Sequence, residues 1–141
     1  MSARSKIDWS RDWIGSDRLR DWARSEGEKH RLFLDRKQVV STHLDEIQRS
    51  DRDESPAARI YFVQEGGTDA IKIGTSKHVR GRMIALGSAS PHALTVLATM
   101  EGSHRVEALL HFLFSHARIR GEWFRPVPEL TEYIEEQKGR S

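Results

Sequence analysis

Residues 59–76 read Arg59-Ile60-Tyr61-Phe62-Val63-Gln64-Glu65-Gly66-Gly67-Thr68-Asp69-Ala70-Ile71-Lys72-Ile73-Gly74-Thr75-Ser76. Two β-branched and aromatic runs, Arg59 to Gln64 and Ala70 to Thr75, flank a turn from Glu65 to Asp69, a pattern that predicts a β-hairpin. Side chains alternate along a strand, so Ile60, Phe62, Ile71 and Ile73 make one apolar face while Tyr61 and Lys72 share the other. Gly74-Thr75-Ser76-Lys77 then leads into a helix, a corner where backbone N–H groups and positive charge favour phosphate.

Downstream, Lys77 to Leu86 predicts a helix with Val79, Met83 and Leu86 on one side, and Ala93 to Met100 a third strand after the loop 87–92. Ser103 stands at an N-cap position ahead of Val106, Leu109, Leu110, Leu113 and Phe114, an amphipathic stripe at helical spacing. Gly121-Glu122-Trp123-Phe124 closes the core, and Pro128 opens a last helix to about Gln137. Upstream, Leu19, Trp22, Ala23, His30, Phe33, Leu34, Val40, Leu44 and Ile47 recur at helical steps. Ser16 to Gln48 therefore reads as one long helix, or as two stacked helices interrupted at Gly27. Trp9 and Trp13 form an i, i+4 pair ahead of it. Ser50 to Ala58 lacks any large apolar residue and contains Pro56, which reads as a linker. The expected organisation is a helical N-terminal extension at 1–50, a linker at 51–58 and an α+β domain at 59–141.

The 141 residues are 37% hydrophobic and 31% charged, the composition of a globular protein with a highly charged surface. No apolar run approaches the ~20 residues that span a bilayer, and the polar start does not read as a secretory signal. A cytoplasmic protein is expected. Cysteine is absent, which removes disulfides, thiolate nucleophiles and cysteine-bound zinc. The net charge is only +2, yet residues 59–125 carry nine Lys or Arg against five acids, and the tail turns acidic. Partners respond to local potential rather than to the sum, so a basic middle suggests a phosphate-binding face. Lys77, Arg80, Arg118 and Arg120 are its candidates for nucleic-acid contact.

Arg82 falls one and a half turns into its helix, beside the apolar stripe, within reach of the strand ends. Glu107 and His111 stand at i, i+4 on the next helix, bordering its buried face. One carboxylate at the edge of a core near a phosphate corner suits one-metal hydrolysis, in which water and substrate fill the remaining positions of a Mg²⁺ or Mn²⁺ ion. His104, Glu107 and His111 could alternatively suggest zinc, but no further ligand accompanies them. Trp123 and Phe124 read as a core plug rather than a base-stacking platform, and Glu122 as structural.

Ile60-Tyr61-Phe62, Lys72-Ile73-Gly74, Arg82, Glu107 and Gly121-Glu122-Trp123-Phe124 together resemble the GIY-YIG nuclease superfamily over about 59–130, in the phage and bacterial branch with Lys-Ile-Gly and a Gly-Glu-Trp-Phe ending. The resemblance implies a small three-stranded antiparallel sheet flanked by helices and a metal-dependent endonuclease acting on DNA. It assigns Tyr61 as general base or relay, Lys72 to the position of the second-motif tyrosine, Arg82 to transition-state stabilisation and Glu107 to the metal. A free phenol keeps its proton to about pH 10, so base chemistry there requires neighbouring positive charge. The sequence lacks the asparagine that many members place after the glutamate-bearing helix. Two other readings stand beside the nuclease: a nucleic-acid-binding module of the same fold that does not cut, and an interaction protein or homodimer assembled through the N-terminal helices.

Overall fold

A computed structural model describes residues 17–140, apart from the side chains of Asp17 and Leu19; Trp9 and Trp13 lie outside the described residues. The chain divides into two compact units, Met1–Asp35 and Arg36–Ser141. Helix α1 (Asp17–Glu54) is continuous through Gly27. A lone interior glycine costs about 1 kcal/mol against alanine, too little to break a helix of this length. In the first unit Trp22, Leu32 and Leu34 are exposed. The helix ends at Glu54, inside the segment 51–58, and Asp51 in its last turn is buried.

The second unit is built on β1 (Arg59–Glu65), β2 (Ile71–Ser76), α2 (Val79–Ala89), β3 (Leu94–Glu101), α3 (His104–Leu113), β4 (Arg118–Arg120), β5 (Trp123–Phe124) and α4 (Pro128–Gly139), with a 3₁₀ turn at Ser115–Ala117. The expected hairpin forms, with Phe62 opposite Ile73 and Tyr61 opposite Gly74. The expectation of a three-stranded sheet is corrected: the sheet has five antiparallel strands in the order β3-β1-β2-β5-β4. The two added strands are three and two residues long, too short for alternation to register in sequence. They reverse direction through Gly121, whose φ of 53° lies in the left-handed region that favours glycine.

On the apolar face Ile60, Phe62, Ile71 and Ile73 are fully buried, as are Val106, Leu110, Leu113 and Phe114 from α3 and its end and Leu130 and Ile134 from α4. Tyr133 stands edge-on to Phe62 and Phe114, at ring centroid separations of 6.2 and 5.6 Å. No residue of α2 is fully buried, and its stripe of Val79, Met83 and Leu86 is half-covered.

The C-terminal half of α1 clamps α3 at both ends. Asp51 accepts the Ser103 N–H at 2.7 Å and a bond from Arg105 at 2.8 Å, so a carboxylate sits at the positive end of α3. Arg36 Nε donates to the Leu113 carbonyl at 3.1 Å, placing a cation at the negative end. Ser103 is the N-cap residue by position, but its side chain makes no capping bond; the Asp51 carboxylate serves this end instead. Among the described residues no helix is long and apolar enough to cross a membrane.

Candidate active site at the open edge of strand β2

The pairing of β5 with β2 covers only Ile71 and Lys72 and finishes where the Ile73 N–H donates to the Glu122 carbonyl at 3.0 Å. From Gly74 onward β2 has no strand on that side among the described residues. His111 takes up the first carbonyl left over: its Nε2–H donates to Ile73 O at 2.9 Å. The ring is further held edge-on to Phe124, at 5.0 Å between centroids. Side chains from both faces of the sheet meet at this gap.

From the helix-covered side comes Glu107. Its carboxylate accepts a hydrogen bond from the Thr75 hydroxyl, lies 3.8 Å from His111 Nε2 and feels the charge of Glu122. From the other face comes Lys72, whose Nζ pairs with Glu122 Oε1 at 2.9 Å and sits 5.5 Å from the centre of the Trp123 ring. Lys72 and Trp123 are register partners, and directly opposed residues on antiparallel strands project to the same face.

Two carboxylates this close cannot both ionise freely, and their surroundings separate them. Burial pushes both upward. For Glu122 the Lys72 ammonium overcomes burial and holds the group below the ordinary carboxylate value. For Glu107 burial prevails over the Thr75 bond, and the charge of Glu122 raises it further. Glu107 is therefore the member that holds a proton longer.

Tyr61 and Arg82 form the other half of the site. The phenol lies flat against the backbone of Gly74, where a Cβ would overlap its oxygen and ring. Glycine is required at this position because the space above its Cα is already filled. Arg82, on the exposed side of α2, interacts with the Tyr61 phenol, and this partner, with the charge of Glu122, holds the guanidinium above its ordinary value.

Tyr61, Lys72, Arg82 and Glu107 are thus linked through Glu122, Gly74 and Thr75. Glu122 and Thr75 are the members not anticipated as part of the site. The sequence marks Glu122 only as structural, since its partner Lys72 lies fifty positions earlier in the chain, and Thr75 only as the end of a strand and part of the phosphate-favouring corner. Of the candidate nucleic-acid contacts, Lys77 and Arg80 are exposed at the start of α2. Arg118 bends back to donate to the Gly121 carbonyl at 2.7 Å. Arg120, exposed and paired in register with Trp123, projects on the Lys72 face.

Among the described residues no group of three or more His, Asp or Glu side chains forms a metal cage. The donors that do meet, the Glu107 carboxylate and the Thr75 hydroxyl, are hard oxygens. They suit a Mg²⁺-like ion that keeps most of its water, and such a cation would compete with protons for Glu107, whose burial and charged neighbour Glu122 raise its proton affinity.

Residues 58–138 match the T5orf172 domain, a span that contains every residue of this site. No curated protein and no solved structure matches the chain.

Proposed function

The chain belongs to the T5orf172 domain family, and on that premise we propose that it is a metal-dependent endonuclease of the GIY-YIG type that hydrolyses phosphodiester bonds in DNA. The family is associated with endonuclease-like proteins, which supports a nuclease-related or DNA-binding role. The observation that carries the finer reading is the meeting of Glu107, Glu122, Lys72, Arg82 and Tyr61 at the open edge of β2.

In this reading Glu107 would hold Mg²⁺ or Mn²⁺, with the Thr75 hydroxyl beside it. When bound, the ion supplies charge stabilisation at a phosphoryl oxygen. Arg82 binds the other phosphoryl oxygens, where preorganised positive charge is worth most as negative charge develops. Tyr61 takes the proton of the attacking water either as the phenolate, which the nearby Arg82 guanidinium favours, or as a relay whose hydroxyl passes its own proton on as it accepts that of the water. Lys72 keeps Glu122 ionised; Glu122 in turn sets the charge felt by Glu107 and Arg82. Removing Arg82 is expected to lower cleavage by about 100-fold or more while DNA binding persists. Lys77, Arg80, Arg118 and Arg120 provide phosphate contacts along the strand.

A non-cutting DNA-binding module is the second reading, favoured by the engagement of the Lys72 ammonium with Glu122 and Trp123. A homodimer through α1 draws support from exposed Trp22, Leu32 and Leu34, and a monomeric mass in solution would remove it. The deciding experiment incubates the protein with double-stranded DNA, single-stranded DNA and RNA in Mg²⁺ or Mn²⁺. Cleavage of DNA supports the nuclease. Salt-sensitive binding without turnover in either ion supports the binding module, since displaced counterions make affinity fall with salt.

A further inference from the structure

On the same sheet face as Lys72, toward the β1–β2 turn, lies a cleft of ≈ 290 Å³. Ile119, Arg120, Trp123, Arg125 and Pro126 form one wall, and Glu65, Thr68 and Ala70 face them. The volume is at the lower end of small-molecule sites, which start at about 300 Å³.

Trp123 is not the core plug that its neighbour Phe124 is. Phe124 is completely buried, whereas Trp123 remains partly open and lines the cleft. The two adjacent aromatics point to opposite faces of β5, one into the core and one toward solvent. Arg125 is held in place by donating to the His116 carbonyl at 2.6 Å. Arg120 has no side-chain hydrogen bond or ion pair with any described residue, and its register partner is Trp123 itself. Glu65, the acid of the opposite wall, already accepts bonds from the Thr68 and Ser90 hydroxyls. The aromatic wall therefore carries two guanidinium groups against one engaged carboxylate.

We propose that this cleft is a nucleobase subsite, in which an unpaired base of the bound strand stacks on Trp123 while Arg120 contacts the adjoining phosphate. The inference rests on the reading above that a nucleic-acid strand crosses this face. Every base has a π-face, so an aromatic wall with flanking cations suits single-stranded segments without reading their sequence. Lys72 and Trp123 are register partners across β2 and β5, with the ammonium 5.5 Å from the ring centre, which places such a base next to the site of cleavage. The substrate class that follows is a strand with an unpaired nucleotide beside the scissile bond, such as a flap, a gap or an extruded base.

The test measures binding in EDTA, where no cleavage occurs, of the full chain to a short oligothymidylate and to an abasic oligomer of the same length. The oligothymidylate is expected to bind about tenfold more tightly, within the range that stacking on an aromatic side chain supplies. Trp123→Leu should remove that preference and leave abasic binding unchanged, and Arg120→Ala should weaken both ligands alike and lower the salt slope by about one. Equal affinity of the unaltered protein for the two ligands overturns the proposal without requiring any variant to fold, as does a preference that survives Trp123→Leu. A protein that discriminates here but never cuts refutes the nuclease and keeps the subsite. One that cuts without discriminating does the reverse.

Discussion

Glu107 on α3 and Glu122 in the turn before β5 act on each other's charge at the open edge of β2, with the Lys72 ammonium 2.9 Å from Glu122. The two surroundings pull the pair apart: Lys72 lowers Glu122 despite its burial, while burial and the charge of Glu122 raise Glu107 and make it the easier to protonate. An ion that needs the Glu107 carboxylate competes with protons for it, so its binding strengthens as pH rises through the raised Glu107 value.

Glu122→Gln removes the neighbouring charge and frees Lys72, and both changes favour an ionised Glu107. The acid limb of a pH–rate profile in Mg²⁺ is expected to move to lower pH. An acid limb that stays in place or moves upward contradicts the coupling.

Gly74 and Tyr61 occupy one volume. Gly74→Ala should destabilise the protein by about 1–3 kcal/mol through overpacking. Denaturant unfolding of Gly74→Ala, Tyr61→Ala and the double variant should show that the double variant loses less than the sum of the two, because removing the ring empties the space that the new methyl needs. Additive losses would place the phenol elsewhere.

Asp51 ties the last turn of α1 to the start of α3. Burial raises this carboxyl, but bonds from Arg105 and Ser103 outweigh it and hold the group below its ordinary value of 3.8. A depressed acid contributes stability that is present above that pH and lost as pH falls through the lower folded value. Asp51→Asn should cost about 1–3 kcal/mol at neutral pH and flatten the acid side of the stability profile, as followed by urea midpoints.

Tyr133 packs between Phe62 and Phe114, with its hydroxyl 3.7 Å from the Met100 sulfur, and burial pushes it up from 10.0 to about 12. Its folded value is raised, so stability is full below pH 10 and declines as pH climbs toward 12. Tyr133→Phe should change neutral stability by less than about 1 kcal/mol, since a thioether is a weak acceptor. The variant should also lose part of the alkaline decline seen in thermal melts of the unaltered chain.

The elements with a repeating pattern were legible in the sequence. The hairpin, α2, β3, α3 and α4 fall within a few residues of where the periodicity puts them, because each covers a face, buried or in α2 half-covered, long enough to repeat. Strands β4 and β5 carry five residues between them; β5 pairs with Ile71 and Lys72 of β2 and β4 pairs with β5, so no local pattern announces them. The polar turn at the end of α1 remains helical because Asp51 finds partners in Ser103 and Arg105, more than fifty positions away. The site divides on the same principle. Tyr61 and Lys72 follow from alternation along two strands, and Glu107 and His111 from helical spacing. The roles of Glu122 and Thr75 depend on which side chains meet where β5 stops, which spacing along the chain does not encode. Trp123 and Phe124, read together as a plug, separate because adjacent residues on a strand face opposite ways.

The central claim is that Glu107 supplies the carboxylate on which phosphodiester hydrolysis depends. The most direct measurement compares cleavage of supercoiled plasmid DNA in Mg²⁺ or Mn²⁺ by the unaltered protein and by Glu107→Ala, with DNA affinity measured in parallel. The account predicts nicking or linearisation by the former and a loss of about 100-fold or more in the variant, with affinity for DNA retained. Cleavage by Glu107→Ala at the unaltered rate, or no cleavage by the unaltered protein in either ion, would contradict it.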